Sequence, residues 1–260
     1  MLKHLRNILI TLGLFMIFSC FSIEAAPILK ELERNTTYKK YDITGDGKAD
    51  TIFYSRTNNG LYKMSINING KKQTDTESSR GGRLFYCQFS KKKEFLIEDI
   101  HYMGGFDDLY LYKWKNGKLI NVYANENSYG VFFSGYNVSI KLSKDKSKVN
   151  IVSGYKHGYK SFPGVDSGVA LLFGYKYKPT SNGLKLTSNI AYVVGKPSFK
   201  AQQKVYTSKE PGGSKNGLVI KKGQKVKITK TTEVNGHTYF YAENKKGGGW
   251  FVDSTENILK

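Results

Sequence analysis

In the stretch Asp42-Ile43-Thr44-Gly45-Asp46-Gly47-Lys48-Ala49-Asp50, oxygen-bearing groups fall at alternate positions. Asp42, Thr44, Asp46 and Asp50 offer side-chain oxygens and Lys48 its backbone carbonyl, while Gly47 stands where the chain must turn too sharply for a side chain. A hard cation takes such oxygens from a backbone that curls around it, so the spacing predicts a Ca2+ loop. Asp and Gly are also turn formers, and the same residues would make a metal-free turn. Where a helix–loop–helix calcium site carries a bidentate glutamate, this chain has Phe53. With three carboxylates, the affinity expected is weak, about 10⁻⁴ to 10⁻³ M.

The exit Asp50-Thr51-Ile52-Phe53-Tyr54 is β-branched and aromatic, which predicts a strand rather than a helix. The loop therefore joins strands. Over roughly residues 40 to 65 it resembles the single calcium loops of the FG-GAP and VCBS families, found in secreted and surface proteins. That resemblance implies the ligand roles just named, and a loop stapled by its ion rather than a signalling or catalytic site.

Other chemistry-bearing residues are sparser. His101 lies near Glu98, Asp99, Asp107 and Asp108, a set that reads as acid/base machinery, as a metal site, or as structural turn and strand residues; the last is expected. Asp99, Gly104 and Asp107 repeat the spacing of Asp42, Gly47 and Asp50, but His101 and Met103 replace the loop's oxygen donors, so no second calcium site is expected there. There is no His pair at metal-ligand spacing, no Gly-x-Ser-x-Gly elbow and no phosphate-cradling glycine loop. The chain is thus expected not to be an enzyme. The alternative is a cell-wall hydrolase or glycosidase, because paired carboxylates are set by distance in space rather than in sequence.

The elements that must position these residues are short. Phe95-Leu96-Ile97, Leu109-Tyr110-Leu111-Tyr112, Val138-Ser139-Ile140, Val149-Asn150-Ile151-Val152 and Val169 to Phe173 are divided by Gly, Asn, Lys and Asp clusters, with almost no helical periodicity. This predicts an all-β chain whose N-terminal part is a meander, sandwich or set of propeller-like repeats. Asp50, Asp107 and Asp166 each precede a strand and an Asn-Gly turn (Asn59-Gly60, Asn116-Gly117, Asn182-Gly183), the pattern of a repeat. Cys87 sits in an apolar run and is expected to be a buried strand residue. Tyr155, His157 and Tyr159, interleaved with lysines and glycines, could stack on sugars or bases, or simply fill strands.

At the start of the chain, Lys3 and Arg6 precede the apolar run Ile8 to Ile23, and small residues follow at Ala25 and Ala26. This predicts a signal peptide over residues 1–25, with lipidation at Cys20 as the rival and the only expected route to a membrane. The formal charge of +20 falls only to +19 when Lys3, Arg6 and Glu24 are set aside. Such a charge attracts polyanions: anionic wall polymers, acidic glycans, or nucleic acid held without sequence preference. A lysine-rich solvated surface is the plainer alternative. Cys87 would be left without a disulfide partner, so the core must suffice without one.

After Gly195-Lys196-Pro197 the pattern changes. Leu218 to Ile228 contains a Lys-Gly-x-x-Val hairpin, Asn235-Gly236 precedes the aromatic strand His237 to Tyr241, and Gly247-Gly248-Gly249-Trp250-Phe251-Val252 closes the run. Residues 203–260 resemble bacterial SH3-like (SH3b) domains. The resemblance implies a small barrel, with Val226 and Ile228 turned inward and Trp250 at its closure. It also implies attachment to the cell envelope through peptidoglycan or anionic wall polymer. Candidate ligand-binding residues are Tyr206, Tyr239, Tyr241 and Trp250, with Lys221, Lys222 and Lys245 beside them. The organisation expected is a leader (1–25), a β-rich domain (26–196) holding the calcium loop (42–50), a linker (197–202) and the SH3b module (203–260). Its expected role is that of a secreted or envelope-associated, non-enzymatic binding protein with no specific nucleic-acid partner.

Overall fold

A computed structural model describes residues 26–58, 62–77, 81–90, 93–102, 105–124, 131–156 and 171–252. The leader, Cys20, Asn59-Gly60, Met103-Gly104, His157, Tyr159 and Asp166 lie outside them. Among the described residues there is no helix, and every strand pair is antiparallel, so the all-β expectation holds.

Strand β1 (Ile28–Leu32) opens the chain. Strands β2 (Thr36–Tyr41), β3 (Asp50–Asn58), β4 (Tyr62–Ile68) and β5 (Lys71–Glu77) then form a four-stranded meander. Next come β6 (Gly81–Gln88), β7 (Glu94–His101), β8 (Phe106–Lys115), β9 (Lys118–Asn121) and β10 (Val131–Tyr136). With β1 at one edge and the short β13 (Tyr155–Lys156) at the other, they make a seven-stranded sheet in which β9 hangs on β8. The third sheet begins at β11 (Ser139–Leu142) and β12 (Val149–Ser153), continues through β14 (Phe173–Pro179), β15 (Leu184–Leu186), β16 (Ala191–Val193) and β17 (Ser198–Lys200), and ends at β20 (Lys225–Val234), β21 (His237–Asn244) and β22 (Gly247–Val252). Strands β18 (Val205–Tyr206) and β19 (Val219–Ile220) pair separately.

Several tight turns follow directly from sequence. At Asn69-Gly70, Asn116-Gly117 and Asn235-Gly236 both residues have positive φ, the conformation that a two-residue hairpin with properly twisted strands requires. Asn tolerates it better than other residues with a side chain, and Gly adopts it freely.

Side chains alternate between the two faces of a strand, and the seven-stranded sheet uses both. Leu84, Tyr86 and Leu96 pack with Tyr41, Ile52, Tyr54, Ile66 and Ile68 of the four-stranded meander. Their neighbours Phe85, Cys87, Phe95, Ile97, Leu109 and Leu111 turn the other way, into a core shared with the third sheet. The result is a stack of three sheets rather than a propeller. Being covered on both faces, β7 is buried over seven successive residues, Glu94 to Ile100. A side-chain amide also ties the layers: Gln73 of β5 donates to the Leu119 carbonyl (3.3 Å) and accepts from the Leu119 N–H (2.6 Å), as a neighbouring strand would.

The segment 197–202, expected as a linker, is instead part of the third sheet. Ser198, Phe199 and Lys200 pair with Lys227, Val226 and Lys225, and Phe199 and Ala201 are buried. Strand β20 also pairs with β16 through Ala191↔Thr231 and Tyr192↔Lys230. The sheet is thus continuous across the expected boundary, and Val226, Ile228, Phe240 and Phe251 belong to the same core as Phe85 and Leu109. Pro197 interrupts a strand without releasing the chain, because the residues after it alternate exposed–buried–exposed and can rejoin the sheet at once.

Candidate functional site

The densest chemistry lies at one end of the central sheet. Asp99 and His101 are two residues apart on β7 and so share a face, and the β7–β8 register sets His101 opposite Asp107. On the other side of β7, Arg83 of β6 lies opposite Asp99. The His101 Nδ1 makes a short hydrogen bond with Asp107 Oδ1, and its Nε2 lies 3.9 Å from Asp99 Oδ2. Asp99 Oδ2 accepts from Arg83 Nε (2.9 Å) and Nη2 (2.5 Å). Among the described residues, Asp99 Oδ1 is buried without a hydrogen-bond partner.

The backbone of Val138 closes the cluster. Its N–H donates to Asp107 Oδ2 (2.6 Å) and its carbonyl accepts from Arg83 Nη2 (2.8 Å). Val138 lies where the chain crosses from β10 in the central sheet to β11 in the outer one. The polar group is therefore also a clasp, fixing a crossover that a hydrophobic contact would leave undirected.

The two carboxylates are buried, while about a third of the His101 side chain (36%) is exposed. Burial pushes the Asp99 carboxyl up from its ordinary range, opposed by the Arg83 guanidinium and His101. Hydrogen bonding to Asp107 raises the His101 imidazole, helped by the charges of Asp99 and Asp107 and opposed by burial. One donor atom from each of Asp99, His101 and Asp107 lies within 4.8 Å of the other two, so the group could hold a metal ion. The neighbouring acids do not join it. Glu98 and Asp108 point to the opposite face, where Glu98 accepts from Tyr112 (3.1 Å) and Asp108 from Ser134 (2.5 Å).

The Asp42 loop has a different construction. Asp42 accepts from the N–H groups of Gly45 (2.7 Å), Asp46 (3.1 Å) and Gly47 (2.8 Å), and Asp46 from that of Lys48 (2.8 Å). The buried Asp50 accepts from Ile43 and Thr44 N–H (2.7 and 2.8 Å), from the Thr44 hydroxyl (3.1 Å) and from Asn69 (2.6 Å). The side chains of Asp42, Thr44, Asp46 and Asp50 are thus engaged with the loop's own donors, and with the β4–β5 turn through Asn69. Lys48 is exposed. Among the described residues, the loop's aspartates do not gather their carboxylate oxygens as the Asp99 group does.

In the C-terminal part, Trp250 is buried and meets Tyr241 edge-on, with ring centroids 5.3 Å apart. Tyr239 is half-buried, whereas Tyr206 is 47% exposed beneath the Lys204 ammonium, 4.8 Å from its ring. Tyr241 lines a cleft of about 530 Å³ with Ser198, Lys225, Lys227, Lys245 and Gly248. A Cβ at Gly248 would lie 2.7 Å from the Tyr241 ring, so that glycine is what lets the ring rest against β22. Lys225 stands directly opposite Lys200, a like-charge pair that a sheet does not favour, while Lys227 faces Glu243. Lys221 and Lys222 are exposed in the turn before β20.

The sequence placed His101 near Glu98, Asp99, Asp107 and Asp108 and offered a metal site there only as an alternative to structural residues; the structure selects Asp99 and Asp107 and leaves out Glu98 and Asp108. An i, i+2 pair on a strand signals a shared face, but the third member depends on hairpin register, and the residues between them include the undescribed Met103 and Gly104. No family model, no curated protein and no solved structure matches this chain.

Proposed function

We propose that the chain is an exported, envelope-associated, non-enzymatic binding protein whose C-terminal SH3b-like module contacts anionic wall polymer. The observation that carries this reading is the cleft that Lys225, Lys227 and Lys245 line together with Tyr241 and a single acid, Glu243. Three ammonium groups, one of them facing another lysine, favour a polyanion, and an aromatic ring offers an apolar face to a sugar or peptide. Residues 203–260 carry eleven lysines against five acids, which adds a long-range attraction. In this reading the Asp42 loop takes Ca2+ as a structural staple, with Asp42, Thr44, Asp46, Lys48 and Asp50 as ligands.

The test is co-sedimentation with purified cell wall, before and after extraction of its anionic polymers. Binding should fall at least tenfold on extraction, with added salt, or in Lys225→Glu/Lys227→Glu, and Tyr241→Ala should weaken it further at fixed salt. Binding indifferent to all of these would remove the cleft from the account. Release of soluble wall fragments by the protein, abolished by Asp99→Asn or Asp107→Asn, would make it a hydrolase instead.

A further inference from the structure

We propose that Asp99 and His101 bind a first-row divalent metal of the zinc class, through the His101 Nε2 and the Asp99 carboxylate, with Asp107 holding the imidazole from behind. This site is separate from the Asp42 loop and differs from it in chemistry.

The orientation follows from the hydrogen bonds. His101 Nδ1 is occupied by Asp107 Oδ1, so in the neutral ring the proton sits on Nδ1 and the Nε2 lone pair is left toward Asp99. A carboxylate behind the imidazole that fixes its tautomer is the usual outer support of a metal-binding histidine. Asp107 is itself fixed by the Val138 N–H. Nε2 lies 3.9 Å from Oδ2, the Asp99 oxygen that Arg83 holds, so the carboxylate stands beside the imidazole at a separation that two zinc–ligand bonds of about 2.0–2.2 Å each can span.

Asp99 supplies the second indication. Its side chain is fully buried, Arg83 engages Oδ2, and among the described residues Oδ1 has no partner. A buried acceptor left unmade is costly, and a cation that Asp99 takes through Oδ1 would satisfy it while Arg83 keeps Oδ2. The ligand set chooses the class of ion. Imidazole favours zinc and its neighbours over Ca2+ and Mg2+, and the absence of thiolate from the group disfavours soft Cu(I). Cys87 lies buried in β6, outside the group, with its thiol pushed up by burial and hence protonated. Because His101 is partly exposed, water can complete the coordination shell. The bound ion would tighten the β6–β7–β8 end of the central sheet onto the Val138 crossover.

The experiment is titration of the purified protein with Zn2+ and, separately, Ca2+ by calorimetry, with ¹⁵N-histidine NMR of the unmodified protein during the Zn2+ titration. The expected result is one Zn2+ site, tighter than any Ca2+ binding by at least roughly tenfold, with the His101 Nε2 resonance shifted and Nδ1 still protonated. His101→Ala should abolish it, Asp107→Asn should weaken it by about 10- to 100-fold, and Asp42→Asn should leave it unchanged. Zn2+ affinity retained in His101→Ala, or a shift at His237 or His157 in place of His101, would overturn the proposal. So would coordination through Nδ1, or a site that prefers Ca2+. If His101→Ala fails to fold, the NMR of the unmodified protein decides by itself.

Discussion

The Asp42 loop and the Asp99 cluster each gather aspartates, and they satisfy them in opposite ways. In the loop, each acid accepts mainly from backbone N–H groups a few residues away, and the run from Asp46 to Ala49 faces solvent. In the cluster, Asp99 and Asp107 are buried and answered by side-chain and backbone donors brought from other elements: Arg83 of β6, His101 across the β7–β8 pairing, and Val138 at the crossover. A local arrangement can satisfy itself completely, because neighbouring N–H groups are always at hand. One assembled from separate strands takes what the sheet geometry offers, and here, among the described residues, it leaves Asp99 Oδ1 without a partner.

Stability measurements by urea unfolding, in chelator, would sharpen this contrast. The largest loss is expected for Asp99→Ala, about 3 kcal/mol, because Arg83 would keep a partly buried charge with its counter-ion gone. Gly82→Ala should come next, at about 2 kcal/mol. A Cβ there would sit 2.0 Å from Arg56 Nη1 and 2.5 Å from the Asp99 carbonyl, and the latter, being backbone, has little room to yield. Asp50→Ala should cost about 1–2 kcal/mol, since the N–H groups of Ile43 and Thr44 lose their acceptor at the buried end of the loop. The smallest effect is expected for Asp46→Ala, within about 0.5 kcal/mol in chelator because water can replace an exposed acceptor.

The same Asp46→Ala protein also examines the metal reading of the loop. Millimolar Ca2+ should raise the melting temperature of the unmodified protein and leave that of the variant unchanged. If Asp46→Ala in chelator instead proved as costly as Asp99→Ala, burial would not be what separates the two regions.

How far each region was legible follows from the distance over which it is built. The hairpins at Asn116-Gly117 and Asn235-Gly236 and the buried Cys87 are set by a residue and its near neighbours and stand as expected, whereas Val226 and Ile228 are buried in the core they share with Phe85 and Leu109 rather than in a small barrel of their own. Strand β7 was legible only as Phe95-Leu96-Ile97. Glu94, Glu98 and Asp99 argue against a fully buried strand until their partners are known: Gln88, Tyr112 and Arg83, each from another strand. The continuity of β16, β17 and β20 was hidden for a related reason. A Pro and a change of pattern mark a break in local structure, but strand pairing can cross such a break at no cost to the pattern itself.

The sequence by itself determined the all-β class, the tight turns and the loop in which Asp42 and Asp46 curl onto their own backbone, because periodicity, φ preference and short-range hydrogen bonding act within a few residues. Only the tertiary structure decided that one sheet would be buried on both faces, that residues 197–202 would join a sheet, and that Asp99, His101 and Asp107 would meet. Those outcomes depend on register and layer order, which are settled by the packing of residues far apart in the chain.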